Sequence, residues 1–204
     1  MNQYTIIEDC SPYYIRFTHP GLGDIVDFCR AKIPTTKFAP GEFVHHKLAL
    51  TDADQLLAMV PMHGSGGLDL RRDRASLFIT AGGRYYRAHK DGVNNRISIN
   101  YTVTILDQHC QTSWYSDEDL KDYPIDNLPS NTSRECQGFV KQHHHPLKTM
   151  TAQANECILF NTDIFHDFDN SQSDNTRVVL TLRCRDSGGV YFDDVKRILF
   201  GLDS

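Results

Sequence analysis

The chain of 204 residues is long enough to bury a core and short enough to form one domain; its 40% apolar and 23% charged residues are those of a globular protein. A net charge of −5 argues against binding a phosphate backbone, and no apolar run approaches the about 18 residues of a membrane span, so neither nucleic acid nor membrane is expected as a partner. Six cysteines without a Cys-x-x-Cys pair fit neither a zinc knuckle nor a disulfide framework, and the N-terminus lacks a signal-peptide layout, so reduced thiols in a cytoplasmic setting are expected.

Along the chain, Tyr4–Ile7 and Tyr13–Phe17 read as two short strands or an extended arm, broken at Ser11-Pro12 and closed by His19-Pro20-Gly21. Ile25, Val26, Phe28 and Cys29 fall near helical spacing and predict a short helix that Pro34 ends. Residues 34 to 47, which include His45-His46, read as a loop or lid. A helix follows over Gln55–Val60, with Thr51-Asp52 at its cap and Pro61 as its stop. The glycine-rich His63–Gly67 is neither a phosphate-binding loop nor a nucleophile turn and reads as a connection.

From Ala75 the pattern becomes that of strands. Leu77–Thr80 predicts a short strand, Ala81-Gly82-Gly83 a turn, and Arg84–Ala88 a second strand. Over 96 to 105 the alternation is clean: Ile97, Ile99, Tyr101, Val103 and Ile105 share one face, and Arg96, Ser98, Asn100, Thr102 and Thr104 the other. That predicts an antiparallel strand with one face packed and a polar face able to look into a barrel mouth. Residues 107 to 137 are polar and turn-rich, with one helical turn opened by Ser116, and read as an insertion between strands. His143-His144-His145 reads as a surface or strand-edge run, since consecutive strand residues point to opposite sides. Cys157–Phe160, Ile164–Phe168 and Arg177–Arg183 predict three more strands, the last two joined by a hairpin loop over Asn170–Asn175. Asp186–Gly189 reads as a turn, and Val190–Leu199 as a closing element packed on the outside of the barrel.

The chemistry concentrates on His89 and Asp91. Two apart in a strand, they project to one face, and His166 brought beside them would complete two imidazoles and one carboxylate. Such a facial set leaves the other positions of a six-coordinate Fe(II) open. Arg177 carries a planar fork that matches a carboxylate, and it opens the strand that follows His166.

His89-x-Asp91, then His166, then Arg177 eleven positions on, resembles the iron(II)/2-oxoglutarate-dependent dioxygenases, and Gly83-Arg-Tyr-Tyr86-Arg-Ala-His89-Lys-Asp91 resembles the Gly-x-x-Tyr-x-x-His-x-Asp run of their prolyl-hydroxylase-like branch. Two departures stand out. The strand after Arg96 lacks that branch's Thr and Tyr-Leu spacing, and Ile79 stands where it usually has a tyrosine. The likeness covers roughly residues 76 to 184.

The resemblance implies that His89, Asp91 and His166 are the metal ligands and catalytic centre, and that Arg177 binds the far carboxylate of 2-oxoglutarate. Asn100, Tyr86, Thr102 and Thr181 are candidates for further cosubstrate contacts. With Fe(II), 2-oxoglutarate and O2 as cofactors, it implies hydroxylation of a small metabolite, amino acid or peptidyl side chain with release of succinate and CO2.

The expected architecture is a mainly β double-stranded β-helix, a cupin-like jelly roll with flanking helices. Residues 1–204 form a single domain in which 1–75 supply helices and loops and 76–204 the barrel and its closing element. Arg84, Arg87, Arg183 and Arg185, around the motif strands, favour a polar or acidic substrate. Two alternatives remain open, a cupin-like metalloenzyme without 2-oxoglutarate and a silent binding module on the same fold. Nothing in the sequence fixes the oligomeric state.

Overall fold

The computed structural model describes residues 3–64, 67–91, 96–104, 108–127, 134–185 and 190–202. Its strands in chain order are β1 (Thr5–Cys10), β2 (Tyr14–Thr18), β3 (Phe43–Lys47), β4 (Ser76–Thr80), β5 (Arg84–Lys90), β6 (Ile97–Thr102), β7 (Gln111–Tyr115), β8 (Ile125–Asn127), β9 (Arg134–Cys136), β10 (Lys148–Thr151), β11 (Cys157–Asn161), β12 (Phe165–Asn170) and β13 (Arg177–Arg183). The helices are α1 (Leu22–Arg30), α2 (Leu50–Met59), α3 (Asp117–Leu120) and α4 (Phe192–Phe200).

The strands form two antiparallel sheets, ordered β1-β2-β11-β6-β13-β4-β3 and β10-β7-β12-β5-β9-β8. From β4 to β7 the chain alternates between the two sheets, and from β10 to β13 it does so again. This winding makes the double-stranded β-helix expected from the sequence.

The alternation of β6 sorts its residues as read. Ile97, Ile99, Tyr101 and Val103 turn outward into the main core, where Leu77, Ile79, Leu180, Leu182 and Leu159 of neighbouring strands meet Ile25 and Val26 of α1, Leu56 and Leu57 of α2, and Val195 and Leu199 of α4. The inner face of this sheet is polar on one side and apolar on the other. The apolar side is filled by Tyr14, Ile158 and Phe160 against Trp114 and Met150 of the facing sheet, with Trp114 stacked on Tyr14 at 5.2 Å. That plug leaves the space between the sheets open only on the polar side. On the far face of the six-stranded sheet a third cluster packs Tyr115, Phe165 and Ala88 under Leu120, Cys136 and Phe139.

Four expectations need correction. Residues 34 to 47 are not all loop, because β3 pairs with β4 along the sheet edge. With β1 and β2, the N-terminal part therefore adds three strands to the seven-stranded sheet as well as helices. An edge strand half open to solvent alternates only between exposed and half-buried positions, and the residues of β3, Phe-Val-His-His-Lys, do not alternate apolar with polar. Within 107 to 137, β7 is no insertion; it lies between β10 and β12. Lastly, β12 and β13 are not a hairpin of neighbours but belong to opposite sheets.

The crossover between β12 and β13 is pinned. The Asn170 amide donates to the carbonyls of Thr80, Ala81 and Asn175. Gly82 passes so close that a Cβ there would lie 2.3 Å from the Ser173 carbonyl oxygen, and Gly83 takes φ +81° in the same turn. This fixes the entry into β13, hence Arg177. The expected turn at Asp186–Gly189 and the facing of Ile105 lie outside the described residues. Among the described residues, no helix is long and apolar enough to cross a membrane.

Candidate active site

The open side of the inter-sheet space is a cavity of about 310 Å³, lined by His89, Asp91 and His166 from one sheet and Asn100, Arg177, Val179 and Thr181 from the other. One potential ligand atom from each of His89, Asp91 and His166 lies within 4.8 Å of the other two. A pairing irregularity helps bring them there. His89 faces His166 and Tyr86 faces Phe168, so β5 advances three residues where β12 advances two. The resulting bulge lets Tyr86 and His89 look into the same cavity, their rings 4.7 Å apart.

Both imidazoles are oriented by their own backbone. Nδ1 of His89 lies 2.8 Å from the Arg87 carbonyl and Nδ1 of His166 2.8 Å from the Ile164 carbonyl. A carbonyl only accepts, so each Nδ1 carries a proton and Nε2 is the atom each ring would offer to a metal. The rings themselves are 4.4 Å apart, with Phe160 edge-on to His166 at 4.9 Å. Burial, reinforced by the nearby His89, pushes the His166 imidazole down to about 3, so it is neutral in the folded chain. Burial alone would raise the Asp91 carboxyl, but Arg183, with help from His89 and His166, holds it below its ordinary value. Arg183 achieves this through a 2.5 Å contact with Asp91 Oδ2, while Oδ1 stands 3.8 Å from His89 Nε2.

Across the cavity Arg177 lies over the Phe168 ring at 4.0 Å. Its Nε is shut off from solvent and has no hydrogen-bond partner. No carboxylate among the described residues pairs with it, and burial lowers its affinity for its proton. Asn100 Oδ1 and Thr102 Oγ1 are buried without partners as well. Tyr86, Asn100 and Thr181 line the cavity; Thr102 is fully buried opposite Val179 but is not among the lining residues.

Several features escaped the sequence reading. His45, in the stretch read as lid, lines the cavity, stacked on Phe78 at 4.7 Å. Its alternation with Phe43, another lining residue, was the available signal. Of the four arginines expected to favour an acidic substrate only Arg183 lines the cavity; Arg87 donates to Gln137 and Arg185 pairs with Asp69. Arg74 lines it instead. His144 Nε2 shares a hydrogen bond with the Tyr123 hydroxyl at 2.6 Å and its ring stacks on Phe139, away from the cavity.

No family model matches the sequence, and no curated protein matches it. Solved structures do. HygX from Streptomyces hygroscopicus, with nickel, 2-oxoglutarate and hygromycin B bound, superposes with a TM-score of 0.54 at 8% identity, over 86% of this chain and 83% of that one. An oxidoreductase of the 2OG-Fe(II) oxygenase family from Burkholderia pseudomallei gives 0.50 at 10% identity, over 84% and 81%. At such identities the likeness defines the fold, a double-stranded β-helix of the kind these proteins share.

Proposed function

We propose that this chain is a non-haem Fe(II)- and 2-oxoglutarate-dependent oxygenase that hydroxylates a small metabolite, an amino acid or a peptidyl side chain. The observation that carries the reading is the convergence of His89, Asp91 and His166 to within 4.8 Å in one cavity with a buried guanidinium whose Nε lacks a partner. Two imidazoles and a carboxylate are the donor set that suits Fe(II) and leaves positions open beside it. The unmet Arg177 Nε suits the distal carboxylate of a dicarboxylic acid. Bound there, Fe(II) would supply the oxygen chemistry, in which 2-oxoglutarate and O2 become succinate and CO2 while the substrate gains one oxygen atom.

The chain's own groups do the holding. His89 and His166 present Nε2, and Arg183 keeps Asp91 ionised and aimed. Arg177 would fix the cosubstrate, with Asn100, Thr181 and Tyr86 lining the same cavity and Thr102 paired with Val179 on the neighbouring strand. Phe43, Phe78, Phe160 and Phe168 give the cavity apolar walls that exclude water.

The test is calorimetry of 2-oxoglutarate with the manganese-loaded protein, followed by succinate measurement under air with Fe(II). Binding that needs the metal, and succinate that needs both Fe(II) and 2-oxoglutarate, support the reading. Metal binding without 2-oxoglutarate binding would leave a metalloenzyme that does not use this cosubstrate, and absence of both would leave a binding module.

A further inference from the structure

Three arginines line the cavity, Arg74, Arg177 and Arg183. Arg183 is matched by Asp91. In the oxygenase reading Arg177 is matched by the distal carboxylate of 2-oxoglutarate. Arg74 remains. It closes the short 3-10 turn Arg72–Arg74, where the nearby acids are already engaged: Asp73 by Arg71 at 2.7 Å, Asp54 by Arg72 at 3.3 Å and Asp69 by Arg185 at 3.0 Å. Among the described residues no carboxylate pairs with Arg74.

Asp73 is drawn first to Arg71 and only last to Arg74, and the other side chains around Arg74 add no negative charge. His45, 2.8 Å from the Ser76 hydroxyl, is held below the ordinary histidine range by burial and by the charges of Lys47, Arg183 and Arg74. Asp167 also borders the cavity, but its carboxylate is turned to the covered face, where the Tyr85 and Tyr115 hydroxyls donate to it. Counted once each, Fe(II), the 2-oxoglutarate dianion, Asp91 and the three arginines leave the filled site with a positive surplus, and Arg74 is the one of the three arginines with neither Asp91 nor the cosubstrate beside it. In a cavity with aromatic walls such a surplus is screened less than on an open surface and selects for a negative ligand.

Resting on the oxygenase reading, we infer that the substrate is a small anion whose carboxylate or phosphate group is held by Arg74, with its body lying along Phe43, Phe78 and Tyr86 toward the metal-binding trio. The cavity volume of about 310 Å³ is at the small end for ligand sites and argues against a bulky substrate.

The test titrates manganese- and 2-oxoglutarate-saturated protein with phenylacetate, phenyl phosphate and the neutral phenylacetamide, by calorimetry. At least one of the two anions is expected to bind about tenfold or more tightly than the amide, the size of one charge-assisted pair, and the comparison between them separates carboxylate from phosphate. Arg74→Met should erase the preference and Arg74→Lys retain part of it, both with unchanged melting temperature. Equal binding of amide and anions, no binding of either anion, or a preference that survives Arg74→Met overturns the inference. So does a loss of 2-oxoglutarate affinity in Arg74→Met, which would make Arg74 the cosubstrate anchor. If the wild type binds no 2-oxoglutarate, the oxygenase reading fails by itself, and an anion preference that still depends on Arg74 upholds the anion site.

Discussion

His166 and Asp167 are adjacent on β12, yet the two faces of the sheet treat them oppositely. On the covered face the Asp167 carboxylate is fully enclosed and accepts from the Tyr115 hydroxyl at 2.7 Å, the Tyr85 hydroxyl at 3.1 Å and the Ser113 amide at 3.1 Å, with Lys141 Nζ at 3.8 Å. On the cavity side Arg177 Nε, Asn100 Oδ1 and Thr102 Oγ1 are buried with no partner, and Arg84 Nε, on the strand that carries Tyr86, is in the same condition. Folded chains pair their buried polar groups wherever they can, so groups left unmet together mark where something else is to be received. The outer face is finished by the fold; the inner one is left with polar groups the fold does not meet.

The sharpest break of this comparison is Asp91→Ala, which should abolish iron-dependent turnover. Metal affinity should fall by more than the about 100-fold that loss of a supporting contact costs, with the protein still folded by circular dichroism. An active variant would remove Asp91 from the metal-binding set. Asp167→Ala should instead attack the fold, lowering urea-unfolding stability by about 1–3 kcal/mol or more, because the Tyr115 and Tyr85 hydroxyls and the Ser113 amide lose their acceptor inside the protein. A loss near zero would place Asp167 with the unfinished groups.

Acid titration separates the faces more gently. The His166 imidazole falls from 6.5 to about 3 on folding, so below about 6.5 the unfolded chain takes up the proton first. Stability of the metal-free protein should therefore be full above pH 6.5 and decline as pH falls toward 3, and His166→Gln should flatten that decline. Arg177→Met should weaken 2-oxoglutarate binding about 10- to 100-fold, the worth of charge-assisted hydrogen bonds. Its thermal stability should not fall, because an unpaired buried cation is lost; a large destabilisation with unchanged cosubstrate affinity would reassign Arg177 to structure. The smallest effect is expected from Thr102→Val, a gain of about 1 kcal/mol from deleting an unpaired hydroxyl. If 2-oxoglutarate affinity drops with it, Thr102 reaches the cosubstrate although it is not among the residues lining the cavity.

What the sequence made legible were features written in alternation. Ile97 to Val103 announced one packed and one polar face, and both faces do what their residues suggested. His89 and Asp91 were visible because extended chain puts i and i+2 on one side, and His166 because it stands eleven positions before Arg177 in the oxygenase-like pattern. What stayed hidden had no such signature. In β7, Thr112 and Ser113 are both buried on opposite faces, so a central strand reads as a polar stretch. The bulge that turns Tyr86 and His89 the same way leaves no mark on residue type. Arg74 sits in a run of arginines around Asp73 that looks solvated, and only the neighbouring ion pairs single it out.

Because β12 and β13 lie in different layers, the eleven positions from His166 to Arg177 are not a ruler for the distance a ligand must bridge. That span is set by how far apart side chains such as Phe160 and Phe168 prop the two sheets. Extra residues in the 170–176 crossover would stretch the motif on paper and leave the bridged gap as it was. One bulkier wedge between the layers would change the gap with the motif untouched.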